Sequence, residues 1–242
     1  MKTLAIAFAT VLLSHTVNAQ TTINTTTNDT TVVKKTIRWV PRQESNFEIG
    51  VGLNNWVGDK NQANYPDNAY DLRPGGSRFV SLGFIKYNAL ARGEKAALRL
   101  RYGMEFSWYN FMFEGNNVAV KGTDRLTFPE SPVNLSKTKL TASYFTVPLG
   151  LETKFRRGFI KYIGVGAYGG FRLGSHTKTK IEDGGKKDHV KGNFYLNGVR
   201  YGLTGSLGIR RFAELFVNYD LNTTFQDGKG PNVNAISFGI RL

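Results

Sequence analysis

From Ser45 to the C-terminus, apolar and polar positions alternate with a period of two. The clearest stretch is ALRLRYGMEFSW. Leu98, Leu100, Tyr102, Met104, Phe106 and Trp108 share one parity, and Arg99, Arg101, Gly103, Glu105 and Ser107 the other. Alternate residues of a strand point to opposite faces, so this reads as a strand and not a helix. The same texture recurs at Phe47 to Leu53, Phe145 to Leu151, Val199 to Ile209, Leu215 to Leu221 and Ile236 to Leu242. The run 79–90 (FVSLGFIKYNAL) is apolar on both faces, and its register stays open. The pattern predicts strands near 45–56, 78–90, 96–113, 139–154, 159–173, 194–210, 214–225 and 233–242. Connections at 91–95, 155–158 and 211–213 are short, whereas 57–77, 114–138 and 174–193 are long and polar, and 226–232 is Gly-rich. The expected fold is all-β: an eight-stranded antiparallel up-and-down barrel.

Alternation does not say which face is inside. Four features favour apolar side chains outside, against lipid, over a lipocalin-type barrel. The non-apolar parity is rich in glycine (50, 52, 103, 150, 164, 166, 170, 202, 208 and 239), as a narrow interior requires. Short turns alternate with long loops, as in outer-membrane barrels. The strands reach the ten or so residues needed to cross the apolar layer at a ~45° tilt. Trp56, Trp108 and Tyr201 near strand ends are read as an interfacial girdle. No G-x-W motif opens the first strand. The prediction is therefore a transmembrane β-barrel, whose closure satisfies every backbone group in lipid.

The N-terminus sharpens this. MKTLAIAFATVLLSHTVNAQ has a basic Lys2, an apolar run from Leu4 to Leu13, and a small-residue cleavage site ending at Ala19. It reads as a secretory signal peptide over 1–19, too short to span a bilayer. Residues 20–44, rich in Thr and Asn and then basic, read as a disordered N-terminal leader, and 45–242 as the barrel. The chain of 242 residues has no cysteine, which excludes disulfide frameworks and thiolate metal sites. Its formal charge of +14 falls to +13 without Lys2. The basic residues are scattered along the sequence, so no nucleic-acid partner is expected. Two N-x-T sequons, at Asn28 and Asn222, matter only on a eukaryotic secretory route.

Within KYIGVGAYGG, the segment GVGAYG satisfies G-x-G-x-x-G. A dinucleotide loop needs a helix directly after it, and here the strand pattern continues as FRLGS. The glycines are read as space for neighbouring side chains, and no cofactor is expected. At YFTVPLGLETKFRRGFIKYIGVGAYGGF the chain resembles the PorT-type outer-membrane β-barrel family of Gram-negative envelopes. The matching elements are Tyr144, Val147-Pro148 and the Gly-rich strand Ile163 to Gly170. The tail YGLTGSLGIRRFAELFVNYDLNTTF, ending in NAISFGIRL, is similar to the family's three closing strands. The resemblance implies an outer-membrane location and says little about activity. It departs at Leu242, where such barrels commonly end in an aromatic read by the barrel-insertion machinery.

Candidate chemistry lies on two surfaces. The predicted lumen face carries Glu48, Arg99, Arg101, Glu105, Glu152, Arg172, Arg200, Arg210 and Asp220. These read as a mutually paired plug, because unpaired charge in a narrow lumen is costly. The alternative is a narrow anion-preferring channel. The external loop 174–193 carries Lys178, Lys180, Lys186, Lys187 and Lys191, and loop 114–138 carries Lys121, Arg125 and Lys137. Such loops suit lipopolysaccharide phosphates or an envelope protein partner. His176 and His189, near Glu182, Asp183 and Asp188, match no tight metal-ligand spacing. Ser175 beside His176 raises a lipid-modifying enzyme, but adjacent strand residues point apart. The expected role is structural or interaction work in the envelope, without catalysis, with a secretion-system assembly component as a further alternative.

Overall fold

Strands that alternate apolar and polar must hide one face. Here they do so by closing a ring whose polar parity points inward. The computed structural model describes residues 43–58, 62, 64–65, 69–183, 185 and 187–242. The predicted signal peptide and residues 20–42 of the leader lie outside them. The eight barrel strands, numbered in chain order, are β1 (Gln43–Gly58), β2 (Arg78–Arg92), β3 (Ala96–Met112), β4 (Leu135–Phe155), β5 (Ile160–Ile181), β6 (Val199–Ile209), β7 (Glu214–Asp220) and β8 (Val233–Arg241). Each pairs antiparallel with the next, and β8 closes on β1 from Gly50↔Arg241 to Gly58↔Val233. Residues 93–95, 156–159 and 210–213 turn at the end that holds Gln43 and Leu242. The long connections lie at the other end.

Exposure follows parity. Val165, Val147, Leu149, Phe84, Phe106, Leu203, Val217 and Phe238 are exposed outside, while Glu48, Arg101, Glu152 and Arg200 are buried inside. On β5 the outward row runs from Ile163 to Leu173. Ten residue rises make about 33 Å along the strand, or roughly 23 Å along the axis at a ~45° tilt, which matches a membrane apolar band. Trp108, Tyr201 and Tyr219 ring the outside near the long-loop end. Trp56 is a correction. It shares parity with Glu48 and Asn54 and turns inward, where it packs on Phe111 and Phe225 at 4.8 and 5.6 Å. The ambiguous run 79–90 also resolves. Phe79, Ile85 and Tyr87 are buried inside, and Val80, Leu82 and Phe84 face out.

Strand limits differ from expectation where tertiary packing intervenes. β4 and β5 are longer than predicted and continue together past the apolar band, paired from Ser143↔Gly174 to Leu135↔Ile181. Lys187–Lys191 then returns as a five-residue edge strand against β5, where the sequence predicts a loop. Conversely, β6 starts at Val199 and β7 stops at Asp220. Phe194, Leu196 and Phe225, read as strand, instead fold over the lumen.

The inner glycines admit two kinds of close approach. Gly52 faces Gly239, and Gly150 faces Gly166, across strand pairs. A Cβ on Gly166 would sit 2.5 Å from the Leu149 carbonyl oxygen and 2.7 Å from the Gly150 Cα. Gly208 and Gly202 instead lie under the rings of Tyr162 and Tyr168, their cross-strand partners. An aromatic ring over a glycine restores the packing that the missing side chain forgoes. Gly169, facing out, has nothing within 4 Å of a built Cβ. Gly166→Ala is therefore expected to cost about 1–3 kcal/mol, and Gly169→Ala less than about 0.5 kcal/mol. Urea midpoints of the heat-modifiable band in detergent would separate the two, and equal midpoints would contradict this account.

Candidate functional site

Every barrel strand sends at least one polar side chain into the lumen, and together they form two stacked tiers. In the tier near the short-turn end, Arg101 of β3 bonds Glu48 of β1 at 2.8 Å. Tyr87 of β2 donates its hydroxyl to the same Glu48. Arg99 pairs with Glu152 of β4 and, at 3.0 Å, with Glu44 at the mouth. Arg241 of β8 pairs with Glu214 of β7 and reaches Glu48 at 3.6 Å and Glu105 at 3.9 Å. Tyr162 of β5 donates to Glu214 at 2.6 Å. Lys154 closes the mouth on Glu44 at 3.3 Å.

The second tier is centred on Arg200 of β6. Its guanidinium bonds Asp220 at 2.7 Å, and Tyr168 donates to the same carboxylate. The rings of Tyr109, Tyr168 and Tyr144 surround the cation at 4.3, 4.8 and 5.2 Å. A desolvated cation gains from ring faces as well as from its carboxylate. Voids between and beside the tiers hold about 10 Å³ each, room for single waters. Below the lower tier, the short-turn mouth opens into a vestibule of about 490 Å³.

Above the upper tier the lumen turns apolar. Phe111 fills the barrel there, and Tyr70, Phe113, Phe128, Leu196 and Phe225 from the long connections cover it. Phe79 is level with Tyr109, and Phe216 lies lower, its ring 4.8 Å from the Arg241 guanidinium. Trp56 sits among them, and Phe113 meets Phe128 at 5.3 Å. The expected packed polar lumen is thus polar in its lower part and aromatic above.

Of the predicted lumen residues, Glu48, Arg99, Arg101, Glu105, Glu152, Arg200 and Asp220 are buried in these tiers. Arg172 and Arg210 are corrections. Arg172 reaches up to the Asn193 carbonyl at 2.6 Å and pairs with no carboxylate among the described residues. Arg210 is exposed, because β6 ends at Ile209 and parity lapses in the turn. It donates to the carbonyls of Gly158 and Phe155. The sequence reading missed Glu214, Arg241 and Tyr87. Glu214 has the parity of Asp220, and Arg241 that of Gly239, so both were recoverable by extending each strand to its end. The exchange inverts the charge. The buried acids Glu48, Glu105, Glu152, Glu214 and Asp220 outnumber Arg99, Arg101, Arg200 and Arg241 by five to four.

Outside the lumen, the β4–β5 extension with strand Lys187–Lys191 makes a three-row ladder on the outward face. Its rows are Lys137–Lys180–Lys187, Lys139–Lys178–His189 and Thr141–His176–Lys191. Lys178, Lys180, Lys187 and Lys191 are thus on strands, whereas Lys186 lies outside the described residues. Lys121 and Lys229 lie apart, over the ring of Tyr195 at 5.2 and 6.0 Å. Partial burial and the charges of Lys139, His189, Lys178 and Lys191 hold His176 below the usual imidazole range. Its ring lies 5.8 Å from that of His189. Ser175 points to the other face and donates to the Gly192 carbonyl, so it makes no bond to His176. The GVGAYG segment lies wholly inside β5, with no helix after it.

A closed eight-stranded ring, greasy outside and charged inside, defines a transmembrane β-barrel. Residues 13–228 match the outer membrane protein beta-barrel domain family, and the chain belongs to that family. No curated protein matches the chain.

Removing one partner of a buried ion pair strands the other charge. Arg200→Ala should therefore lower stability by about 3–5 kcal/mol, while Arg200→Met with Asp220→Asn should recover most of that loss. Unfolding in urea, followed by Trp fluorescence, would test this. A neutral single variant would deny Arg200 its central place.

Proposed function

We propose that this protein is a closed outer-membrane barrel with a structural or interaction role in the cell envelope, and that it neither conducts nor catalyses. The observation that carries this reading is the filled middle of the lumen: two ion-pair tiers capped by an aromatic plug, with water-sized voids between and beside the tiers and the wider space confined to the short-turn vestibule and a pocket of about 190 Å³ beside Trp56 and Tyr70. An eight-stranded interior is just wide enough for side chains to fill. An anion-preferring channel also lacks its electrostatic basis, since the buried lumen charges carry one more carboxylate than guanidinium. The divergent directions of Ser175 and His176 speak against a serine hydrolase at that position.

In this reading the signal peptide is removed after Ala19 and the short-turn end faces the periplasm, as in other outer-membrane barrels. The PorT-type texture of β4, β5 and the closing strands points to that branch of envelope barrels. The long-loop end then presents its surface outward, to lipopolysaccharide or an envelope partner.

Planar bilayers containing the purified barrel should show no stepwise current. Reproducible unitary steps from the wild type would overturn the closed-lumen reading. N-terminal sequencing of the outer-membrane form should begin at Gln20, and a start at Met1 would contradict export by cleavage.

A further inference from the structure

The ladder of basic side chains on the outward wall is not explained by the lumen or by solubility alone. Like charges directly opposite on paired strands destabilise a sheet. Here Lys139 faces Lys178, and Lys137, Lys180 and Lys187 form an unbroken row. Among the described residues no salt bridge involves any of these lysines. Asp188 pairs opposite Thr179 on the other parity, and Glu182 and Asp183 lie beyond the end of β5. One carbonyl contact fixes the patch: Lys139 donates to the Asn110 side-chain oxygen at 2.6 Å, and Thr141 donates to the same atom at 3.1 Å. Lys137, Lys178 and Arg78 all depress the Lys139 ammonium below its usual range, behind the effect of its burial. The field there is positive, with no carboxylate within ion-pair distance of these lysines among the described residues.

Position says what would compensate it. The ladder continues the lipid-facing wall directly above exposed Leu173 and Phe171, because a β-bulge between Arg172 and Gly174 switches the outward residues of β5 from odd to even numbers. His176 is three residues beyond Leu173, about 10 Å along the strand. With the tilt, the first row stands at headgroup depth, and the long side chains of the lysines in the two rows above it reach down towards that depth. A surface that is apolar below and cationic at that depth complements an amphiphile with acyl chains and an anionic head.

We propose that the outward face of the β4–β5 extension and strand Lys187–Lys191 is a binding site for the phosphorylated headgroup of an outer-leaflet glycolipid, held by Lys139, Lys178, Lys180 and Lys191. This rests on the barrel being embedded with its long-loop end outward. It adds the partner and the residues that hold it. Phosphate oxygens bridge neighbouring ammonium groups and remove the repulsion between rows. The acyl chains lie along Phe145, Phe171 and Leu173. The exposed edge strand, with Lys187, His189 and Lys191, also discourages strand-to-strand aggregation, so the lipid covers an edge that is already protected.

The test uses the full chain, folded in phosphatidylcholine nanodiscs, with bis-phosphorylated lipid A, dephosphorylated lipid A or inorganic phosphate as the probe. Bound probe is counted by native mass spectrometry. Phosphorylated lipid A should bind at least about 10-fold more tightly than the dephosphorylated form, and less so at high salt. At roughly fivefold per lysine, Lys139→Gln/Lys178→Gln/Lys191→Gln should weaken it about 100-fold. The equal-charge control Arg92→Gln/Lys95→Gln/Arg156→Gln, at the short-turn end, should leave it unchanged. Equal binding of the two lipid forms, full binding by the lysine variant, or competition by inorganic phosphate at equal affinity would overturn the proposal. Heat-modifiable migration of each variant separates this from the barrel reading itself, which would fall only if the wild type failed to insert and shift.

Discussion

A charge inside a lipid-surrounded barrel must find its counter-charge in the barrel, and the clearest case is Arg241. It sits on the last strand, one residue from the C-terminus, and reaches carboxylates of β7, β1 and β3. The seam between β8 and β1 is the one join that no turn enforces. Backbone pairing closes it, and Arg241 braces it from within. Glu48 receives Arg101, Arg241 and Tyr87, so the first strand is held by three others. Ion pairs of this kind offer little net stability over apolar packing, but breaking one is costly. Their contribution is to fix which strands meet and in which register. A one-residue slip would turn each of these groups towards lipid.

The fold was legible because lipid imposes a rule with no exceptions along a spanning strand. Outward side chains must be apolar, so parity can be read from Leu98 to Trp108 without ambiguity. Parity became unreadable where that rule lapses. In 79–90 the lumen side chains Phe79, Ile85 and Tyr87 are themselves apolar or aromatic, so both faces look alike and Tyr87 carries no polar signal of its role beside Glu48. Residue type suggests a girdle position for Trp56, whereas its parity with Glu48 points inward, and parity wins. Alternation carried past Ile209 predicts a lumenal Arg210, but the strand ends there and parity has no meaning in the turn.

The basic ladder shows a different limit. Along the sequence the lysines at 137, 139, 178, 180, 187 and 191 are scattered, and all but Lys139 read as loop residues. Register gathers them. Once Lys139 is opposite Lys178, and Lys178 opposite His189, residues fifty positions apart share one surface. No local pattern announces this, because the extension of β4 and β5 past the membrane uses Thr, Ser and Lys, which carry no strand-specific hydrophobic period. The two-residue spacing of Lys137 with Lys139, and of Lys178 with Lys180, was the signal available.

The glycines of GVGAYGG tie these levels together. In a nucleotide-binding loop they would let a phosphate approach the backbone. In β5, Gly166 lets β4 approach. Gly208 and Gly202 on β6 accept the rings of Tyr162 and Tyr168, whose hydroxyls then reach Glu214 and Asp220 on β7. A side chain on either glycine would lift its tyrosine from the wall and withdraw a donor from a buried carboxylate. The packing of the wall and the satisfaction of the lumen charge are therefore one constraint.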